Sequence, residues 1–168
     1  MPLRSDWSAD HCPISRSLEV LGDPWVLVVL RETLLGLRRY DQLRDRLAIA
    51  DNVLSRRLRD MVEAGLLERR PYRDGGRARH EYVPTQAAED ALPVLHSLVL
   101  WGEKHTVPPV DGGHLALVCE ACGAESDTAD TCSGCGARLR PAAVSWRRPW
   151  LTPASTLVVG AGTSAEAG

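Results

Sequence analysis

The chain has 168 residues, of which 44% are hydrophobic and 25% charged, and a formal net charge of −2. That is the balance of a soluble globular protein long enough to bury a core, and one domain plus a small appendage is the natural division. The longest apolar run, WVLVVL at 25–30, is far shorter than a membrane span, and MPLRSDWSADHCP at the N-terminus has no apolar signal core, so cytoplasmic residence without a membrane partner is expected.

Residues 1–11 read as an N-terminal arm. A short helix is expected over 13–21, with Cys12 immediately before Pro13. The sulfur would then sit at a helix N-terminus, where the dipole favours thiolate, so a redox-responsive role is chemically reasonable beside that of an inert thiol. Asp23-Pro24 starts a second helix well, with a capping carboxylate followed by proline at the first helical position. Residues 25–35 are apolar nearly all round, as the buried centre of a domain would be. Residues 38–47 put Tyr40, Leu43 and Leu47 on one face of a third helix, and the turn at 49–51 leads into a fourth. Helices three and four make a helix-turn-helix pair.

The fourth helix is the most telling segment. Leu54, Leu58, Met61 and Val62 form one apolar stripe and Gly65 supplies the stop. Asn52, Arg56, Arg59, Asp60 and Glu63 point away from it, with Ser55 and Arg57 on its flanks. After Leu67, two short runs flank Asp74-Gly75-Gly76, which suits a primed turn, and Pro71 marks an exposed edge. Helix and hairpin together outline a winged helix that grips DNA. Residues 53–83 hold eight arginines against five carboxylates, whereas 84–135 hold one lysine against eight carboxylates; the cations are local, and phosphate binding follows their location rather than the total charge.

Beyond the hairpin, Thr85 can cap a helical stretch reaching His105 and interrupted by Pro93. Its broad apolar surface, with Leu92, Leu95, Leu98, Val99 and Trp101, suits a dimer interface, or else packing within the same chain. Residues 106–114 read as a linker. Cys119-x-x-Cys122-Gly and Cys132-x-x-Cys135-Gly are paired knuckles whose four thiolates suit a tetrahedral structural zinc site, a zinc ribbon over 115–140. Two disulfides would be out of place in a reducing cytoplasm, and a thioredoxin-like motif would need a βαβ setting absent here. Residues 141–168, rich in Pro, Ala, Ser and Gly, read as a disordered tail, although Trp146, Trp150 and Leu151 could dock.

The run CPISRSLEVLGDPWVLVVLRETLLGLRRYDQLRDRLAIADNVLSRRLRDMVEAGLLERR, followed by RHEY and Thr85, resembles the HxlR-type winged helix-turn-helix transcriptional regulators, relatives of the MarR regulators, over 12–105. The resemblance implies a homodimer pairing through its N-terminal and long C-terminal helices on a pseudo-palindromic operator of double-stranded DNA. It also implies that Cys12 stands where some of these regulators sense electrophiles or oxidants. The family often has proline where Asp51 opens the fourth helix, and Leu-Thr-x-x-Gly where this chain has Val83-Pro84-Thr85-Gln86-Ala87-Ala88.

The expected fold is therefore mainly α with a small β-wing, a winged helix-turn-helix plus a zinc ribbon. Helix geometry and resemblance agree in sending the 52–59 face into the major groove. Asn52 and Arg56 are the expected base readers, because amide and guanidinium groups make bidentate contacts with base edges. Ser55, Arg57, Arg59, Arg73, Arg77 and Arg79 are expected phosphate contacts. No catalytic constellation is present, and the expected function is a transcriptional repressor, open to a small-molecule or oxidant effector. A competing class is an interaction module in which the ribbon recruits a protein and the winged helix serves as scaffold.

Overall fold

The computed structural model describes residues 6–108 and 113–161. The chain forms two compact units, one made of the residues up to Thr33 with Arg38–Val83, the other of Leu34–Leu37 with the chain from Pro84 onward.

In the first unit α1 (Pro13–Leu21) and α2 (Pro24–Leu34) precede α3 (Tyr40–Leu47), α4 (Asp51–Glu63), β1 (Leu67–Asp74) and β2 (Arg77–Pro84). Asp23 caps α2 as expected, its carboxylate accepting from the Trp25 N–H at 2.9 Å. Val26, Val29 and Leu30 of α2 are buried and meet the same fate as Leu54, Leu58 and Met61 of α4. Between α3 and α4 the chain turns at Ala48, a left-handed residue with φ 47°, and Ile49 is buried there. The two strands are joined by Gly75 and Gly76, with φ 54° and 83°. Positive φ at both central residues is what a type I′ turn requires. A bridge between Arg39 and Glu81 adds a short third edge to this wing.

The second unit joins α5 (Gln86–Asp90) and α6 (Leu92–His105) to a four-stranded antiparallel sheet. The sheet has order β4-β3-β5-β6, from β3 (Ala116–Cys119), β4 (Glu125–Ser126), β5 (Val144–Arg147) and β6 (Ser155–Leu157). The helical break falls at Ala91, and Pro93 sits in the first turn of α6, where its missing N–H leaves nothing unpaired.

One expectation is corrected here. Residues 141–161 are not a disordered tail: β5 is an interior strand, registering Leu117 with Trp146 and Cys119 with Val144 on one side and Trp146 with Thr156 on the other. Val144 and Trp146 alternate with Ser145 in a strand pattern too short to stand out among Pro and Ala. Its neighbour β3 supplies the apolar face that makes it fold. The ribbon therefore runs well past 140. Within the second unit, α5 and α6 group with the ribbon. Part of the expected arm (1–5), the centre of the expected linker (109–112) and the chain end (162–168) lie outside the described residues.

Candidate nucleic-acid interface and metal centre

The polar face of α4 follows from the depth of its apolar stripe. With Leu54 and Leu58 fully buried, the 100° spacing turns Asn52, Ser55, Arg56 and Arg59 outward, and all four are exposed. Arg56 is 68% exposed and only loosely paired with Asp60, at 3.8 Å. Ser55 Oγ lies 3.0 Å from Tyr40 Oη, which is also 3.0 Å from the Asp51 carbonyl and carboxylate. Tyr40, at the first turn of α3, thus pins the start of α4. Sequence reasoning placed it only on an apolar face.

Arg57 stands apart from the other expected DNA contacts. Its side chain is 20% exposed and pairs with Asp23 at 2.5 Å and Asp60 at 3.3 Å. The carboxylate that caps α2 therefore also holds α4. On the wing, Arg73 and Arg77 are exposed and Arg79 is paired with Asp74 at 3.5 Å. Arg44 of α3 and Arg69 of β1 line the concavity between α3 and the wing together with Tyr40 and Tyr72. Arg39 stacks over the Tyr72 ring at 4.8 Å. These cations were missed because their clustering depends on the wing folding beside α3.

The cysteine knuckles are built alike. The Gly123 N–H donates to the Cys119 carbonyl and the Gly136 N–H to that of Cys132, both at 2.8 Å. Both glycines have positive φ, 72° and 75°, the conformation for which glycine is suited. Four sulfurs are brought together, all within 4.8 Å of one another. Cys119 and Cys135 are 3.8 Å apart and Cys122 and Cys132 3.7 Å. A disulfide would need about 2.05 Å, whereas a tetrahedron with metal–sulfur bonds of about 2.3 Å has edges of about 3.8 Å. Four thiols at this spacing could hold a metal ion. Backbone N–H groups of Cys135 and Gly134 draw the Cys132 thiol down to about 7. At Cys122 the Ala124 N–H also favours thiolate, but crowding led by Cys135 pushes the thiol up to about 12. A cation among the sulfurs would remove that conflict.

Residues 20–109 match the HxlR-like helix-turn-helix family. The chain belongs to that family. It is 37% identical over 126 residues to an uncharacterised HTH-type transcriptional regulator of Mycobacterium tuberculosis, covering 75% of this chain and 78% of the relative. The Bacillus subtilis HTH-type regulator YdeP is 27% identical over 104 residues, 60% and 80% of the two chains. Among solved structures, PA1607, described as a candidate transcription factor, superposes with a TM-score of 0.66 at 30% identity, covering 80% of this chain and 92% of that one. The redox regulator HypR in its oxidised form shares the fold at 23% identity, with a TM-score of 0.52 over 58% of this chain and all of its own.

This HxlR-like protein is thus a helix-turn-helix transcriptional regulator, and DNA binding follows from the family. Its relatives are regulators rather than enzymes. No helix among the described residues is long and apolar enough to cross a membrane.

Two further titratable groups stand apart from these sites. Cys12 is exposed and occupies the N-cap position of α1, and the backbone N–H groups of Ser15 and then Ile14 hold its thiol below the ordinary cysteine range. His96 of α6 is fully buried. Trp146 Nε1–H donates to His96 Nε2 at 3.1 Å, so Nδ1 carries the proton and donates to the Ala129 carbonyl at 2.7 Å. Burial pulls the imidazole pKa below 6.5, against the Ala129 carbonyl and Asp130. Because the folded pKa is the lower one, this histidine contributes stability fully above about pH 6.5 and progressively loses it below. Urea midpoints of the wild type should therefore fall more between pH 7.5 and 5 than those of His96→Gln, whose amide can make both hydrogen bonds without titrating.

Proposed function

We propose that this regulator acts as a homodimeric repressor on a pseudo-palindromic operator, with Asn52 and Arg56 of α4 reading bases in the major groove. Ser55, Arg59, Arg73, Arg77 and Arg79 then contact phosphates, joined by Arg44 and Arg69. The single observation that carries this reading is the outward, unburied polar face of α4 beside a wing of exposed arginines. Arg57 is a stabilising residue rather than a phosphate contact, because its guanidinium is taken up by Asp23 and Asp60.

Pairing through α1 and α6 is supported by their uncovered apolar side chains. No residue of α1 is buried, Ile14 is 70% exposed, and Val94, Leu98 and Trp101 of α6 are exposed at helical spacing. The four-cysteine site holds structural zinc, favoured over other metals by four soft thiolates in a tetrahedral set that leaves no open position. Cys12 is placed to respond to electrophiles or oxidants: mild oxidant should weaken operator binding by the wild type and leave Cys12→Ser unaffected, read by gel shift.

The operator-reading assignment is tested by three variants on bound genomic fragments and on random DNA. Arg56→Ala should cost about 1–3 kcal/mol on the operator alone. Arg77→Ala should weaken both DNAs alike and flatten the salt dependence. Arg57→Ala should lower the melting temperature while leaving the salt slope unchanged. Equal losses on operator and random DNA for Arg56→Ala would defeat the base-reading role.

A further inference from the structure

Each pair of cysteines is linked, through hydrogen bonds and adjoining backbone, to one buried imidazole on α6. In the second knuckle, the Ser133 N–H donates to Ser126 Oγ at 3.3 Å, and the same hydroxyl donates to the Thr128 carbonyl at 3.1 Å. The next residue, Ala129, supplies the carbonyl that accepts from His96 Nδ1. On the other side, Cys119 ends the strand whose Leu117 registers with Trp146, and Trp146 donates to His96 Nε2. His96 is thus held at both nitrogens by two segments that the metal site organises. Operator reading requires neither contact.

The same helix has two faces with different fates. Leu92, Leu95 and His96 are buried within the second unit, whereas Val94, Leu98 and Trp101 form an exposed stripe at i, i+4 and i+7. A helix anchored on one face presents the other in a defined register.

We propose that a thiophilic divalent metal ion at Cys119, Cys122, Cys132 and Cys135 is an effector of dimerisation, acting through His96 to fix α6. This rests on the readings of the four thiols as a metal site and of the exposed α6 stripe as a dimer surface. Without the cation nothing ties the two knuckles to each other, and they lose the geometry that sets Ala129 and Trp146. The imidazole then loses its two fixed partners, and the exposed stripe loses its register. Coupling of this kind travels through contiguous contacts with a discrete ordered state.

The test uses the full chain, reduced throughout, loaded with zinc or stripped by chelator, with metal content measured. Dimer dissociation constants come from sedimentation, and the His96 tautomer from imidazole nitrogen NMR. Stripping should weaken the wild-type dimer roughly tenfold and abolish the single Nδ1–H tautomer. His96→Gln, which keeps both hydrogen bonds, should respond alike; His96→Leu should be weak when loaded and change less than twofold on stripping. A loaded wild type whose dimer constant and tautomer survive stripping overturns the coupling alone, as does a tenfold response in His96→Leu. A chain that takes up no zinc overturns the metal reading and the proposal with it, and a zinc-loaded chain that stays monomeric overturns the dimer reading and the proposal.

Discussion

Replacing Cys132 and Cys135 together by serine should release the metal and unfold the ribbon, while leaving α2 to α4 and the wing folded. The sheet of the second unit is short: β3 and β5 have four residues each, β6 three and β4 two. Its apolar interior consists chiefly of Leu117, Leu139, Val144, Trp146 and Val158. A core of that size does not by itself offset the chain entropy of ordering the loops around it. A structural four-thiolate site contributes on the order of 10 kcal/mol to folding, so losing two ligands should remove the whole of the ribbon's stability. Hydrogen exchange would show this as lost amide protection over 116–158, with protection in α4 unchanged and metal content falling from stoichiometric to background. Retained protection in β3 and β5 after complete metal loss would show that the sheet stands without the ion.

Trp146→Ala should cost about 3–5 kcal/mol, the range for truncating a fully buried tryptophan. Trp146 is 1% exposed and donates its indole N–H to His96, so the variant creates a cavity and also leaves His96 Nε2 without its donor. Trp150, half exposed four residues later, is the matched control, and Trp150→Ala should change stability by less than about 0.5 kcal/mol. Chemical denaturation of the second unit, followed at constant metal, separates the two. Equal small effects would mean that β5 is not the interior strand of the sheet.

The winged helix was legible because its signals are local. The stripe of Leu54, Leu58 and Met61 follows from helical spacing, and the turn from a Gly75-Gly76 pair that tolerates positive φ. The two cysteine knuckles were equally plain, since thiol pairs each closed by glycine leave little choice of chemistry. Residues 144–147 were not legible: a strand of four residues shows two alternations at most, and the flanking Pro, Ala and Ser suggested disorder. The partner of Arg57 was not legible for a related reason. Its position on the flank of α4 is visible in the sequence, but Asp23 lies 34 residues earlier and meets it only once α2 and α4 pack.

By itself, then, the sequence determined the recognition helix, the wing, the thiol set and the family, all of which depend on residue type and spacing within one or two elements. Only the tertiary structure decided which arginines pair with distant carboxylates, as Arg57 does with Asp23, that Tyr40 braces the start of α4, and that His96 is held by Ala129 and Trp146. Those outcomes depend on contacts between residues distant in sequence. Burial then assigns a guanidinium or an imidazole its partner, by making an unpaired polar group too costly to leave.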